Sequence, residues 1–229
     1  MEDAPLEKTV DVIEGEESAR PKFIENYQLN AKVLQELLPM HEEWAGVELV
    51  GEIAYGLRVY MNDSRLLMHV DKSNTHVISC ILHIDHSEDS EPWPIVIEDF
   101  QGNTNEVVLE AGDMLFYESS KCFHGRPHRF KGSWYSSVFV HYSPKYGWEK
   151  DLRKVESHYA VPPHWHNQPN PPYDDDLEEL EMVGTSMKEP GCENVWCGLK
   201  DSVKWRGPAI EGEVITAGWK PKDEEEEEL

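Results

Sequence analysis

Leu66-Leu67-Met68-His69-Val70-Asp71 and Lys121-Cys122-Phe123-His124-Gly125-Arg126-Pro127 are the two stretches on which the reading of this chain turns. The first reads as a short apolar strand ending in a histidine and an aspartate. Side chains two apart on a strand point the same way, so His69 and Asp71 can face one point in space. A second imidazole brought in from a distant strand, His124, would complete a face of two histidines and one carboxylate. That donor set suits Fe(II) and leaves coordination positions open. The pair alone is a weak signal, because His83-Ile84-Asp85 has the same spacing. What lies between the two stretches decides.

Between and around them the pattern is one of short strands. Val47 to Val50 and Ile53 to Met61 are rich in β-branched and aromatic residues, with Gly51 and Gly56 as breaks. Leu66 to Val70, Thr75 to Ile84, Trp93 to Ile97, Glu106 to Leu109, Met114 to Tyr117 and Cys122 to Arg126 follow, and Trp134 to Tyr142 alternates cleanly. One helix precedes them: Asn30 is its expected cap, Val33, Leu34, Leu37 and Leu38 share a face over Ala31 to Leu38, and Pro39 ends it. The expected fold is mainly β (α+β), a double-stranded β-helix of the jelly-roll or cupin-like kind with a bracing N-terminal helix. In that architecture the ligand pair ends one strand and the third ligand opens another, with four strands between. From Asp71 to His124 there are four (75–84, 94–98, 106–109 and 113–117), whereas from Asp85 only three remain. His69 and Asp71 are therefore the expected pair.

The 229 residues suffice for one well-cored domain with extensions. The expected division is an acidic arm over 1–28, the core over 29–148, and a Pro/Trp-rich extension over 149–229 ending in a disordered acidic tail. A formal charge of −24, concentrated in Asp174 to Glu181 and Asp223 to Glu228, argues against nucleic acid or an anionic membrane as partner. No apolar run approaches the ~20 residues of a membrane span. The acidic N-terminus has no leader character, so the expected setting is soluble and cytoplasmic, or a secretory lumen if a leader has been removed. In a lumen Asn62-Asp63-Ser64 would be a glycosylation acceptor, and Cys192 and Cys197 are near enough in sequence either to pair or to stay reduced. His164-Trp165-His166, with His158 nearby, reads as a Pro-flanked loop before it reads as a second metal site.

With these residues in place, Val47 to Tyr142 resembles the catalytic domain of the prolyl 4-hydroxylase group of Fe(II)/2-oxoglutarate dioxygenases. The resemblance rests on His69-Val70-Asp71, on Gly112 to Tyr117, and on His124 followed by Lys131-Gly132 and Tyr135. It implies that His69, Asp71 and His124 bind iron, with 2-oxoglutarate and O₂ as co-substrates and ascorbate as a supporting reductant. It implies decarboxylation of 2-oxoglutarate to succinate coupled to hydroxylation of an unactivated C–H bond, with a peptidyl proline in a protein or peptide as the first substrate to try. The family also places a cation ten residues past the distal histidine, to hold the far carboxylate of 2-oxoglutarate. Here that position is Trp134, which becomes a candidate substrate contact. Arg126, two past His124 and on the same strand face, is the first choice for the carboxylate, Lys131 the second, and Tyr60 and Thr75 are candidate hydroxyl donors. A small-molecule hydroxylase of the same superfamily and a non-catalytic cupin-like metal-binding protein are the competing readings.

Overall fold

The alternating β segments form two antiparallel sheets laid face to face. A computed structural model describes residues 4–7, 13–14, 19–72, 74–98, 104–147, 181–183, 186–188 and 192–196. In chain order its elements are β1 (Ile13–Glu14), β2 (Lys22–Phe23), α1 (Tyr27–Ala45), β3 (Leu49–Met61), β4 (Arg65–His69), β5 (Ile78–His86) and β6 (Ile95–Glu98). There follow β7 (Thr104–Val107), β8 (Met114–Glu118), β9 (His124–Arg126), β10 (Trp134–Pro144), β11 (Glu181–Val183), β12 (Ser186–Lys188) and a short 3₁₀ turn, Glu193–Val195.

One sheet runs β2-β3-β10-β5-β8 and the other β11-β12-β4-β9-β6-β7, with β1 also on β4. From β3 onward the chain crosses between sheets at every connection to β10 except β6 to β7, which form a hairpin. This is the double-stranded β-helix expected from the sequence. Four strands, β5 to β8, separate the His69-Asp71 pair from His124.

The space between the sheets is filled from both inner faces by Tyr60, Ile81, Trp93, Ile95, Tyr117, Phe130, Tyr135 and Phe139. Burying each of these contributes on the order of 2 kcal/mol of transfer free energy. The outer face of the five-stranded sheet carries a second apolar layer, Val77, Ile78, Val138, Val140 and Tyr142, against which α1 lies.

The helix differs from expectation at both ends. Its cap is Asn26, whose side chain accepts from the Leu29 N–H at 3.1 Å, and it runs through Pro39 to Ala45. A proline inside a helix removes one hydrogen bond. Burial beyond it outweighs that loss, because the His41 ring packs 4.4 Å from Tyr142 and 4.6 Å from Phe116. Asn30 sits inside the helix, where its amide donates to the Gly56 carbonyl.

The segments expected at 47–50 and 53–61 are one strand, β3. Its register against β10 slips between Tyr55↔Phe139 and Arg58↔Ser137, a bulge centred on Gly56, whose φ is +128°. A Cβ there would stand 3.0 Å from the Ser137 carbonyl, so the bulge requires glycine.

The hairpin β11–β12 was not expected, since its first strand begins in an acidic run. Cys192 is disulfide-bonded. Cys197, the 158–166 histidines and the acidic tail lie outside the described residues. Among those residues, no helix is long and apolar enough to cross a membrane.

Candidate metal centre

His69 is the last residue of β4 and His124 the first of β9, and the two are direct cross-strand partners. Their rings lie 4.4 Å apart between centroids. Gly125 makes the approach possible: a Cβ on it would fall 2.7 Å from the Leu67 carbonyl of β4. Asp71, two residues past His69, is held by its N–H donating to the Ser119 carbonyl at 2.9 Å.

The imidazoles are fixed by hydrogen bonds on their far nitrogens. His69 Nδ1 donates to Leu67 O at 2.7 Å and His124 Nδ1 donates to Cys122 O at 2.8 Å. A carbonyl can only accept, so both protons sit on Nδ1 and both Nε2 lone pairs are left for a cation. The Asp71 carboxylate stands 3.6 Å from His69 Nε2 and 3.9 Å from His124 Nε2. These spacings are too long for hydrogen bonds. They suit three groups that share an ion, and all three ligand atoms lie within 4.8 Å of one another.

The electrostatics agree. Burial alone would raise the Asp71 pKa, but the surrounding imidazoles of His69, His124 and His141 outweigh it and hold the carboxyl well below the ordinary range. Burial, helped by His69, lowers the His124 pKa to about 4, so this ligand is neutral at physiological pH. The residues present therefore fit a divalent transition metal.

A third buried histidine stands beside them. His141, on the inner face of β10, has Nδ1 3.9 Å from Asp71 and 2.7 Å from Ser79 Oγ. Ser79 Oγ lies 2.6 Å from Ser119 Oγ, and Ser119 gives its proton to the His76 carbonyl at 3.0 Å. Ser79 must then donate to Ser119, so His141 Nδ1 carries a proton and donates to Ser79. His141 Nε2 keeps its lone pair, buried and with no hydrogen-bond partner. The His141 ring is covered by His76 at 3.9 Å and Tyr55 at 5.3 Å. The clean alternation of Trp134 to Tyr142 put Tyr135, Phe139 and His141 on one face, and that signal could have flagged His141 in the sequence.

Deeper between the sheets lies Arg126, 2% exposed. Its guanidinium is 4.5 Å from the Trp93 ring and 4.7 Å from the Tyr135 ring. It donates to the Trp93 carbonyl and, at 3.0 Å, to the Tyr135 hydroxyl. Among the described residues no carboxylate forms an ion pair with it. Tyr60 joins this group, its ring 4.9 Å from Trp93.

The other candidates lie apart. Lys131 is at the surface, 3.4 Å from Asp63, and its side chain is 57% exposed. Thr75 is half-buried in the β4–β5 loop with its hydroxyl 2.6 Å from His76 Nδ1. Trp134 is half-buried at the start of β10, and strand alternation puts it on the sheet face opposite Tyr135. The rival pair does not converge: His83 is buried against the Ser136 carbonyl and His86, while Asp85 is exposed.

No protein-family model and no curated protein matches the chain. Solved structures resemble it at low identity. An oxidoreductase of the 2OG-Fe(II) oxygenase family from Burkholderia pseudomallei is 14% identical, with 65% of this chain and 76% of that one covered and a TM-score of 0.47. A prolyl-4-hydroxylase from Pseudomonas putida is 11% identical, with coverage of 58% and 78% and a TM-score of 0.40. IDO from Bacillus thuringiensis is 14% identical, with coverage of 49% and 60% and a TM-score of 0.35.

Proposed function

We propose that the protein is an Fe(II)- and 2-oxoglutarate-dependent oxygenase that hydroxylates an unactivated C–H bond, with a peptidyl proline as the first substrate to test. The observation that carries this reading is the facing of His69, Asp71 and His124 at the junction of β4 and β9, with both Nε2 lone pairs freed by backbone carbonyls. Bound there, iron would supply oxygen activation driven by decarboxylation of the oxo acid.

The chain's own residues have three tasks. His69, Asp71 and His124 would hold the ion. Arg126, with the Tyr135 hydroxyl bonded to it, receives the far carboxylate of 2-oxoglutarate. A buried guanidinium whose charge no neighbouring carboxylate balances is costly, and an anionic ligand offsets that cost. His141 stands with its Nδ1 side toward Asp71, is oriented by the Ser79–Ser119 chain, and keeps Nε2 as a buried acceptor. Tyr55, Phe139 and Tyr117 exclude bulk water around this group.

The test is spectroscopic. Anaerobic Fe(II) with 2-oxoglutarate should give a weak visible band near ~500 nm, as when an oxo acid chelates iron held on one face by protein. His69→Ala should abolish the band, and Arg126→Gln should raise the 2-oxoglutarate concentration needed for it. A wild-type protein without the band, or a band unchanged in His69→Ala, would refute the reading.

A further inference from the structure

The interior holds a second buried arginine, and this one is gripped by a distant part of the chain. Arg58, on the inner face of β3, donates from Nε and from a terminal nitrogen to the two carboxylate oxygens of Glu7, each at 2.6 Å. The side chains are 7% and 11% exposed. The guanidinium lies over Phe139 at 4.7 Å and near the Tyr55 and Tyr60 rings, each at 5.8 Å. Tyr55 in turn stacks on His141, whose Nδ1 is 3.9 Å from Asp71. The Arg58 fork thus lies two aromatic rings from the candidate metal centre, and its remaining terminal nitrogen donates to the Tyr60 hydroxyl at 3.3 Å, the tyrosine it shares with the Trp93–Tyr135 box around Arg126.

Glu7 reaches this position from a short strap. Leu6 bridges to Lys22, the Glu7 N–H donates to the Pro21 carbonyl, and the Phe23 N–H donates to the Pro5 carbonyl. Further on, Ile13–Glu14 pairs with Leu66 and Arg65 of β4, so the arm passes from one sheet to the other. Beside Glu7 the strap borders an open cavity of about 560 Å³ lined by Pro5, Leu6, Phe23, Ile24 and Glu25. That volume is in the range of small-molecule sites, and its lining is mainly apolar apart from the Glu7 and Glu25 carboxylates.

We propose that Arg58 is the substrate's carboxylate-binding position, that Glu7 occupies it in the free chain, and that the substrate is an acid with an apolar body whose carboxylate displaces Glu7. The proposal deepens the oxygenase reading by naming a substrate class, and it rests on that reading only for the chemistry done. A planar guanidinium fork matches any carboxylate equally, so Glu7 and an incoming acid compete for the same two donors. Glu7 is tethered, which gives it an effective concentration of millimolar order. An external acid therefore binds the wild-type chain weakly and gains when the tethered competitor is neutralised.

The experiment uses the full-length protein without metal or 2-oxoglutarate, with affinity read by isothermal titration calorimetry. Two probes distinguish a free acid from a side-chain carboxylate: phenylpropionate, and the blocked peptide acetyl-Ala-Pro-Leu-Glu-Lys-amide, which repeats residues 4–8. Glu7→Gln should bind at least one probe about tenfold or more tighter than wild type, and the tighter probe assigns the source. The gain should vanish in Glu7→Gln/Arg58→Gln, a double variant that buries no unpaired charge. Bound probe should also speed hydrogen exchange at the Glu7 and Phe23 amides of the wild-type chain. If neither probe gains in Glu7→Gln, or if the gain survives in the double variant, the pair is only a structural tie and the proposal falls. Because no iron is present, that failure leaves the visible-band result untouched, and a missing band leaves this one intact.

Discussion

Arg58 and Arg126 have nearly equal burial and opposite company. Arg58 is closed by a carboxylate carried on a strap from the N-terminal arm, whereas Arg126 is held by two aromatic faces, a carbonyl and a phenol. A cation over an aromatic ring gains about 2 kcal/mol when desolvated, which falls short of the several kcal/mol needed to bury a charge. Arg58 is therefore electrostatically complete within the chain, and under the proposed function an anionic ligand completes Arg126. The difference separates a charge that holds the fold from a charge held by the fold.

The sharpest way to break this contrast is to remove each cation. Arg58→Leu should leave the Glu7 carboxylate buried and alone and destabilise the protein by about 3–5 kcal/mol in chemical denaturation. Glu7→Leu/Arg58→Leu should recover most of that loss. Arg126→Leu should change stability by only about 1 kcal/mol in the ligand-free protein, yet weaken 2-oxoglutarate binding about 10- to 100-fold, the equivalent of one lost charge-assisted hydrogen-bond pair. Equal destabilisation by the two leucine variants would erase the distinction.

A smaller effect concerns pH. Burial lowers the pKa of His124 to about 4 and also lowers His141, His76, His83 and His41. With folded values below the unfolded value near 6.5, the unfolded chain binds protons first as the medium is acidified. Stability of the metal-free protein is therefore fully present above about pH 6.5 and is lost as pH falls from there toward 4. Bound metal should delay the loss, since protons and the ion compete for His69 and His124. Thermal melts across that interval, with and without added Fe(II) under nitrogen, would show it. Smallest of all, Lys131→Ala should leave both the melting temperature and the 2-oxoglutarate requirement unchanged, because its pair with Asp63 is solvent-screened.

What the sequence made legible follows from periodicity. His69, Asp71 and His124 could be chosen over His83 and Asp85 because strands can be counted and side-chain direction alternates along them. The same rule put Arg126, two past His124, on the inward face, where it is buried. At the ten-residue offset Trp134 lies on the opposite face of β10 from Tyr135, which turns inward, because one step along a strand reverses side-chain direction. Arg58 was hidden because the bulge at Gly56 shifts the alternation of β3, bringing Tyr55 and Arg58 to the same side. Its partner Glu7 lies 51 positions away in an arm without periodicity. Pro39 gave a false end to the helix, since tertiary contacts at His41 and Ala45 decide its length.

The pairing of β12 with β4 has a further consequence. Ser186 stands directly across from His69, so a strand from much later in the chain shields the flank of the one that ends in this candidate ligand. A chain shortened after Gly147 would bare that row of amides and carbonyls, which is the kind of surface on which proteins stack into aggregates. The C-terminal hairpin thus serves as a selvedge, finishing the cloth where it would otherwise fray.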